Sequence, residues 1–239
     1  MSGTSFQVTA DSRGDWHRNI VTLRRSVDLL ARFVDTPDQL HVLLEHEAAT
    51  KPAAGIPPVI LRPFEEPEIY DPIATAIRWP FDHPCRSRYS EGRYGVWYGA
   101  RHIETTVRET VHHFRRNTLM SAVARSSRTP IVQERRVHLV RCRAMLVDLR
   151  ARCEVDPHLV DPDDYAYCQA LGAELRGAAQ PGVLTMAVRH PGHEVAGVFD
   201  PDTLSHPRTV CHYTYRLDAA SGRVVVERTP RQTEIVLDP

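Results

Sequence analysis

The densest chemistry in the chain lies between residues 86 and 109. Arg86-Ser87-Arg88-Tyr89-Ser90-Glu91-Gly92-Arg93-Tyr94-Gly95-Val96-Trp97-Tyr98-Gly99-Ala100 joins basic groups, aromatic rings and glycines, and a helical stretch carrying Glu109 follows. Glu109 stands two residues from Val107, about 200° around a helix, so it falls off the apolar stripe. Two readings stay open on composition. In one, Glu109 is a solvated acid paired with His113 one turn on, Arg88 is a surface arginine and Tyr98 a core aromatic. In the other, an acid, a guanidinium and a phenol on one strand–helix unit form a site.

Other constellations are weaker. The sequence holds no G-x-x-x-x-G-K-[ST] and no G-x-G-x-x-G, so a P-loop or dinucleotide fingerprint has no local support, and there is no G-x-S-x-G elbow. Histidine occurs 13 times, but no H-E-x-x-H or C-x-x-C spacing gathers the three or four ligands a metal needs. His112 and His113 are neighbours on a helix and diverge by about 100°. His190 and His193 bracket a Pro-Gly turn. These read as surface and turn histidines, and no metal is expected. Cys85 as a nucleophile would need a base and a lowered pKa, and neither is visible in the sequence.

The elements that must position these residues sit in a chain of 239 residues, long enough to bury a real core. Apolar residues make up 42% and charged residues 25%, the proportions of a globular protein. Thirty basic side chains balance thirty acidic ones, so the basic excess of a nucleic-acid or anionic-membrane binder is missing. No apolar run approaches a membrane span, and the first residues lack the pattern of a secretory signal. Five widely spaced cysteines argue against a disulfide framework, and a reduced, cytoplasmic chain is expected.

Trp16, Ile20, Leu23, Val27, Leu30 and Val34 recur at intervals of four and three, which predicts a helix over 15–34. Thr36-Pro37-Asp38-Gln39 is a start signal for a second helix to about Glu47. Prolines at 52, 57, 58, 63, 67, 72, 80 and 84 make 51–84 extended and irregular. Residues 1–70 are therefore read as a helical extension with a proline-rich join, and 71–239 as the main domain. The apolar face of the 15–34 helix suits either dimerisation, giving a homo-oligomer, or covering of the core. In the main domain the pattern gives a strand at 94–98 and a helix on Ile103, Val107, Val111 and Phe114. One or two strands follow over 137–149, then a helix from Asp161, strands at 183–188 and 195–199, and a hairpin formed by 211–217 and 224–226. Strands and helices do not alternate, so an α+β domain is expected rather than a doubly wound sheet.

On Arg88, Tyr98 ten residues later and Glu109 eleven beyond that, the sequence resembles the RES family, named for an arginine, a glutamate and a serine. The run Gly182-Val183-Leu184-Thr185-Met186-Ala187-Val188-Arg189-His190-Pro191-Gly192 resembles the family's late strand and turn. The resemblance covers roughly residues 75–205. It implies an ADP-ribosyltransferase-like mixed sheet core with flanking helices. It also implies a toxin of a bacterial toxin–antitoxin pair that consumes NAD by hydrolysis or phosphorolysis, or that ADP-ribosylates a protein. NAD is then the substrate, and the partner is a separate helix-turn-helix antitoxin. Glu109 and Arg88 carry the catalytic roles in this resemblance: Glu109 stabilises the cationic ribose, and Arg88 meets the pyrophosphate or ribose. Tyr98 walls the nicotinamide, and Arg78 and Tyr89 are neighbours in the same pocket. The family serine falls at Ala187, which has no hydroxyl. Thr185, two residues away on the same strand face, is the nearby hydroxyl. A catalytically silent NAD-binding module is the alternative that this replacement raises.

Overall fold

The computed structural model describes residues 9–22, 74–228 and 232–239. Its strands are β1 (Thr9–Asp11), β2 (Gly14–Val21), β3 (Trp97–Ala100), β4 (Ile131–Cys142), β5 (Met145–Asp148), β6 (Gly182–Met186), β7 (Glu194–Val198), β8 (Leu204–Leu217), β9 (Val224–Arg228) and β10 (Gln232–Leu237). The two longer helices are α1 (Ile103–Leu119) and α2 (Ala166–Gly177). Mixed sheet and few helices make the protein α+β, as the sequence pattern predicts. The chain divides into two compact units. The first holds the described residues of 1–19, 71–112 and 138–210, and the second those of 20–70, 113–137 and 211–239.

In the first unit the strand order is β1-β5-β6-β7-β3. β5 and β6 are parallel, with Val147 opposite Val183, whereas β1–β5, β6–β7 and β7–β3 are antiparallel. Alternate side chains of a strand take opposite faces, and here both faces are covered. Trp97, Leu146, Leu184, Ala196 and Val198 enter one apolar cluster with Trp16 and Ile77. Val96, Val147, Val183 and Phe199 enter a second with Tyr89, Leu159, Cys168, Leu171 and Leu175. This is why Val183-Leu184-Thr185 reads as a nearly unbroken apolar run: a strand buried on both sides has no polar face to show.

The second unit contains a hairpin of β8 and β9, with Tyr215 opposite Val226 and Leu217 opposite Val224, and β10 adds to β9. Asp218 closes the turn. Its Oδ1 accepts from the Ala220 and Ser221 amides at 2.9 and 3.0 Å, and Gly222 supplies the positive φ of +73°. Phe114 packs at 6.2 Å from Tyr215, and the buried Arg135 guanidinium lies 5.3 Å from the same ring.

The chain begins differently from its sequence pattern. Gly14–Val21 is a strand, not the start of a helix. A four-residue interval is even, so Trp16 and Ile20 satisfy a strand's period of two as well as a helix's. Tertiary contacts decide the matter. Trp16 is completely buried, its Nε1 donates to Ser12 O at 2.9 Å, and the Arg101 guanidinium lies 3.9 Å from its ring. β1 is a second departure from the helical extension expected over 1–70. The rest of the 15–34 helix from Leu23, and the helix expected from Thr36 to Glu47, lie outside the described residues. Of the proline-rich join, 74–82 is helical rather than irregular: a turn over Ala74–Arg78 runs into Trp79–Asp82. Pro80 is tolerated because a first-turn residue has no intrahelical acceptor for its missing N–H.

None of the five cysteines forms a disulfide. Among the described residues, no helix is long and apolar enough to cross a membrane.

Candidate active site

The loop before β3 is built by short-range bonds and then clamped by α2. Ser87 and Ser90 form a bridge, with Ser87 N donating to Ser90 O at 2.8 Å. Ser90 Oγ donates to Tyr94 O at 2.7 Å and accepts from Gly92 N at 3.0 Å. From α2, the buried Gln169 side chain donates to Ser87 O at 2.8 Å and Ser90 O at 3.4 Å. Tyr94 Oη donates to Tyr89 O at 2.5 Å. Helix and loop approach so closely that a Cβ at Gly172 would stand 2.2 Å from Tyr89 O. Glycine is required there for space, not for its φ.

This clamp fixes Tyr89 and Tyr98. The Tyr98 hydroxyl donates to Ser87 Oγ at 3.0 Å and accepts from Tyr89 N at 3.1 Å. Burial pushes its pKa up, and the bonds from Ser87 and Tyr89 only partly oppose that. Opposite Tyr98 in the sheet is Gly197, where a Cβ would stand 3.3 Å from Val183 Cγ2 and in ordinary contact with the Tyr98 and Tyr89 rings, at 3.4 and 3.6 Å. Tyr89 is fully buried. Its hydroxyl makes no hydrogen bond of normal geometry among the described residues. Burial raises its pKa most, and the neighbouring Thr185 hydroxyl pulls the other way. Thr185 is itself buried and meets Cys153 Sγ at 3.4 Å, so its hydroxyl is engaged in the core. Ala187, also buried, donates its amide to His193 O at 2.7 Å and so closes the 187–193 turn.

That turn leads to Glu109. The Arg189 amide donates to Glu109 Oε1 at 3.1 Å, and Glu109 is half-buried. One carboxylate oxygen thus faces the turn that follows β6. His190, next in the chain, stacks on His193 with ring centroids 3.7 Å apart and meets Thr105 Oγ1 at 2.9 Å. Burial first, and then the adjacent His193, push its pKa below the usual imidazole value.

Arg88 rests on the segment leading into α2. Its Nη1 donates to Leu159 O at 3.4 Å, and its guanidinium lies 4.4 Å from the Tyr165 ring centroid. The Asp164 and Asp163 amides, more than the Arg88 charge, hold the neighbouring Asp161 carboxyl below its usual range. The same segment receives Arg189, whose Nη2 donates to Pro162 O at 2.6 Å. Arg88 and the Glu109–Arg189 pair thus converge on residues 159–165. Tyr98 and Tyr89 meet at the 87–90 loop, Thr185 of β6 neighbours the Tyr89 hydroxyl, and Ala187 is the residue after β6. Arg78 does not share these contacts: it is exposed at the end of the Ala74–Arg78 turn. Among the described residues, no group of three or more His, Cys, Asp or Glu is placed to hold a metal ion.

Four participants escape the spacing argument: Ser87, Gln169, Arg189 and His112. Arg189 stands inside the run quoted for the late strand, and His112 follows Glu109 by three residues on α1, a spacing at which side chains are neighbours. Ser87 and Gln169 carry no such signal, because their bonds join positions 82 residues apart.

The RES domain family matches residues 65–218, more than half of the 239-residue chain, and the protein belongs to that family. Among solved structures, it is similar to a chain of the crystal structure of the M. tuberculosis MbcT–MbcA toxin–antitoxin complex. That match has 14% sequence identity and a TM-score of 0.42, and covers 84% of this chain and 86% of that one. No curated protein matches the chain.

Proposed function

We propose that this RES-domain protein is the toxin of a toxin–antitoxin pair, and that it breaks the bond between nicotinamide and ribose C1′ of NAD. The observation that carries the reading is Glu109: a half-buried carboxylate, oriented by a backbone amide, beside the late strand of the family match. Cleavage leaves positive charge on the ribose, as in glycoside hydrolysis. A carboxylate fixed in advance stabilises that charge without having to reorganise. Nicotinamide departs as a neutral molecule, and the acceptor oxygen bonds to C1′ and gives up its proton. Arg88 has five N–H donors, more than Leu159 O can use, and a guanidinium fork suits a pyrophosphate or ribose oxygen pair. Tyr98 is held by the two bonds of its hydroxyl and is half-buried, and its ring would serve as a wall for a flat base.

The acceptor is water, phosphate or a protein side chain. Incubation of the purified chain with NAD, with and without phosphate, separates these by product: ADP-ribose, its 1-phosphate or a labelled protein. Nicotinamide released by one of the three routes is the expected result. No release above a boiled control removes the enzymatic reading. Ala187 favours a second reading, a silent NAD-binding module, because the hydroxyl expected there is missing and Thr185 is engaged with Cys153. NAD binding by calorimetry without turnover would establish it. A separate helix-turn-helix antitoxin and action on a cytoplasmic NAD pool complete the proposal. Co-purification of the chain with the product of an adjacent gene tests the partner.

A further inference from the structure

Arg189 makes three contacts that together span the candidate site. Its backbone amide donates to Glu109 Oε1 at 3.1 Å. Its Nη2 donates to His112 Nε2 at 2.9 Å and to Pro162 O at 2.6 Å. A terminal guanidinium nitrogen carries two hydrogens, so one atom serves both acceptors. A guanidinium accepts nothing, so His112 must offer a lone pair at Nε2 and keep its proton on Nδ1. Glu109 and His112 stand three residues apart on α1, where side chains are neighbours. A single residue therefore grips α1 twice, by main chain and by side chain, and ties it to the 159–165 segment. That is the segment on which Arg88 rests, through Leu159 O and the Tyr165 ring.

We propose that Arg189 is a positioning residue for Glu109. Its side chain, locked between His112 and Pro162, fixes the orientation of the 187–190 backbone, so that its own amide presents to the carboxylate in one direction. The inference rests on the reading of Glu109 as the working acid. Without the side-chain tethers the Glu109–amide bond has no support from the 159–165 segment, and the carboxylate samples orientations that do not face the substrate. A group that acts only in the transition state changes kcat and leaves KM in place.

Kinetics on four variants test this. Arg189→Ala and His112→Phe are each expected to lower kcat for nicotinamide release at least about tenfold, with KM changed less than about twofold. His112→Gln, whose amide oxygen can accept the same bond, is expected to recover most of the loss, and Arg189→Lys only part. Unchanged kcat in Arg189→Ala, or a rise in KM alone, overturns the proposal, as does a His112→Gln variant no better than His112→Phe at equal thermal stability. The contact is also read without turnover, from the nitrogen-15 shifts of the His112 ring. The Nδ1–H tautomer is expected in the unmodified protein and its loss in Arg189→Ala. The Nε2–H tautomer in the unmodified protein overturns the inference whatever the turnover. The expected tautomer in a protein that leaves NAD intact overturns the NAD reading alone.

Discussion

Tyr98 and Glu109 stand eleven residues apart, and the protein holds them by different means. Tyr98 belongs to a packed floor. Its hydroxyl bonds to Ser87 and Tyr89, its ring faces Gly197, and behind it lie Tyr89, Thr185 and the clamp of α2. Glu109 belongs to a rim. It is half-buried and, among the described residues, bonded by one backbone amide, in a turn that Arg189 secures from the side. The floor is held by packing and closed polar pairs, so damage to it costs folding. The rim is held by a few directional bonds near solvent, so damage to it should cost function first.

The sharpest way to break this contrast is at the clamp. Gly172→Ala places a Cβ against the Tyr89 carbonyl, and overpacking against backbone is expected to cost about 3 kcal/mol, read as a lower midpoint in urea. Unchanged stability would mean the floor is not packed as described. Next comes Tyr98→Phe, which leaves the Tyr89 amide and Ser87 hydroxyl short of a partner. About 1–2 kcal/mol of destabilisation is expected, with any activity loss following the folded fraction. A smaller effect is expected at Asp148, whose carboxylate accepts from the Arg150 side chain at 2.8 and 3.0 Å. The Arg150 bonds, opposed by partial burial, hold its pKa below the usual carboxylate value. Its contribution is therefore full above the unfolded value near 4 and is lost as pH falls through the lower folded value. Asp148→Asn should lower stability at neutral pH and flatten the acid limb of the stability profile, seen in melting temperatures between pH 2 and 7. The smallest effect is expected for Tyr89→Phe. It deletes a buried hydroxyl with no bond of normal geometry, so stability should hold or rise. A clear loss would show that the Thr185 neighbour is a real partner.

Much of this was legible in the sequence because local periodicity carries it. Ile103, Val107, Val111 and Phe114 mark α1, the Val183–Val188 run marks β6 to within two residues, and the hairpin expected from 211–217 and 224–226 is formed by β8 and β9. The Arg88–Tyr98–Glu109 spacing singled out three side chains whose bonds run to Leu159, to Ser87 and Tyr89, and to the Arg189 amide. What stayed hidden is non-local. Whether Trp16 belongs to a helix or a strand depends on Arg101 and, through His17, on Ala100, more than eighty residues away. The resemblance makes Arg78 a neighbour of the site, and the turn that carries it leaves it exposed. Glu109, expected in one reading to pair with His113 one turn on, instead meets an amide eighty residues later. Thr185 does lie near Ala187 along the strand, yet its hydroxyl bonds to Cys153, a partner no periodicity announces.

The decisive measurement is nicotinamide release from NAD by the unmodified protein and by Glu109→Gln, side by side, with melting temperatures for both. Gln keeps the shape and the acceptor oxygen for the Arg189 amide but removes the charge. A fall in turnover of at least about 100-fold at an unchanged melting temperature is the expected result. Equal turnover in the two proteins would contradict the role given to the Glu109 carboxylate.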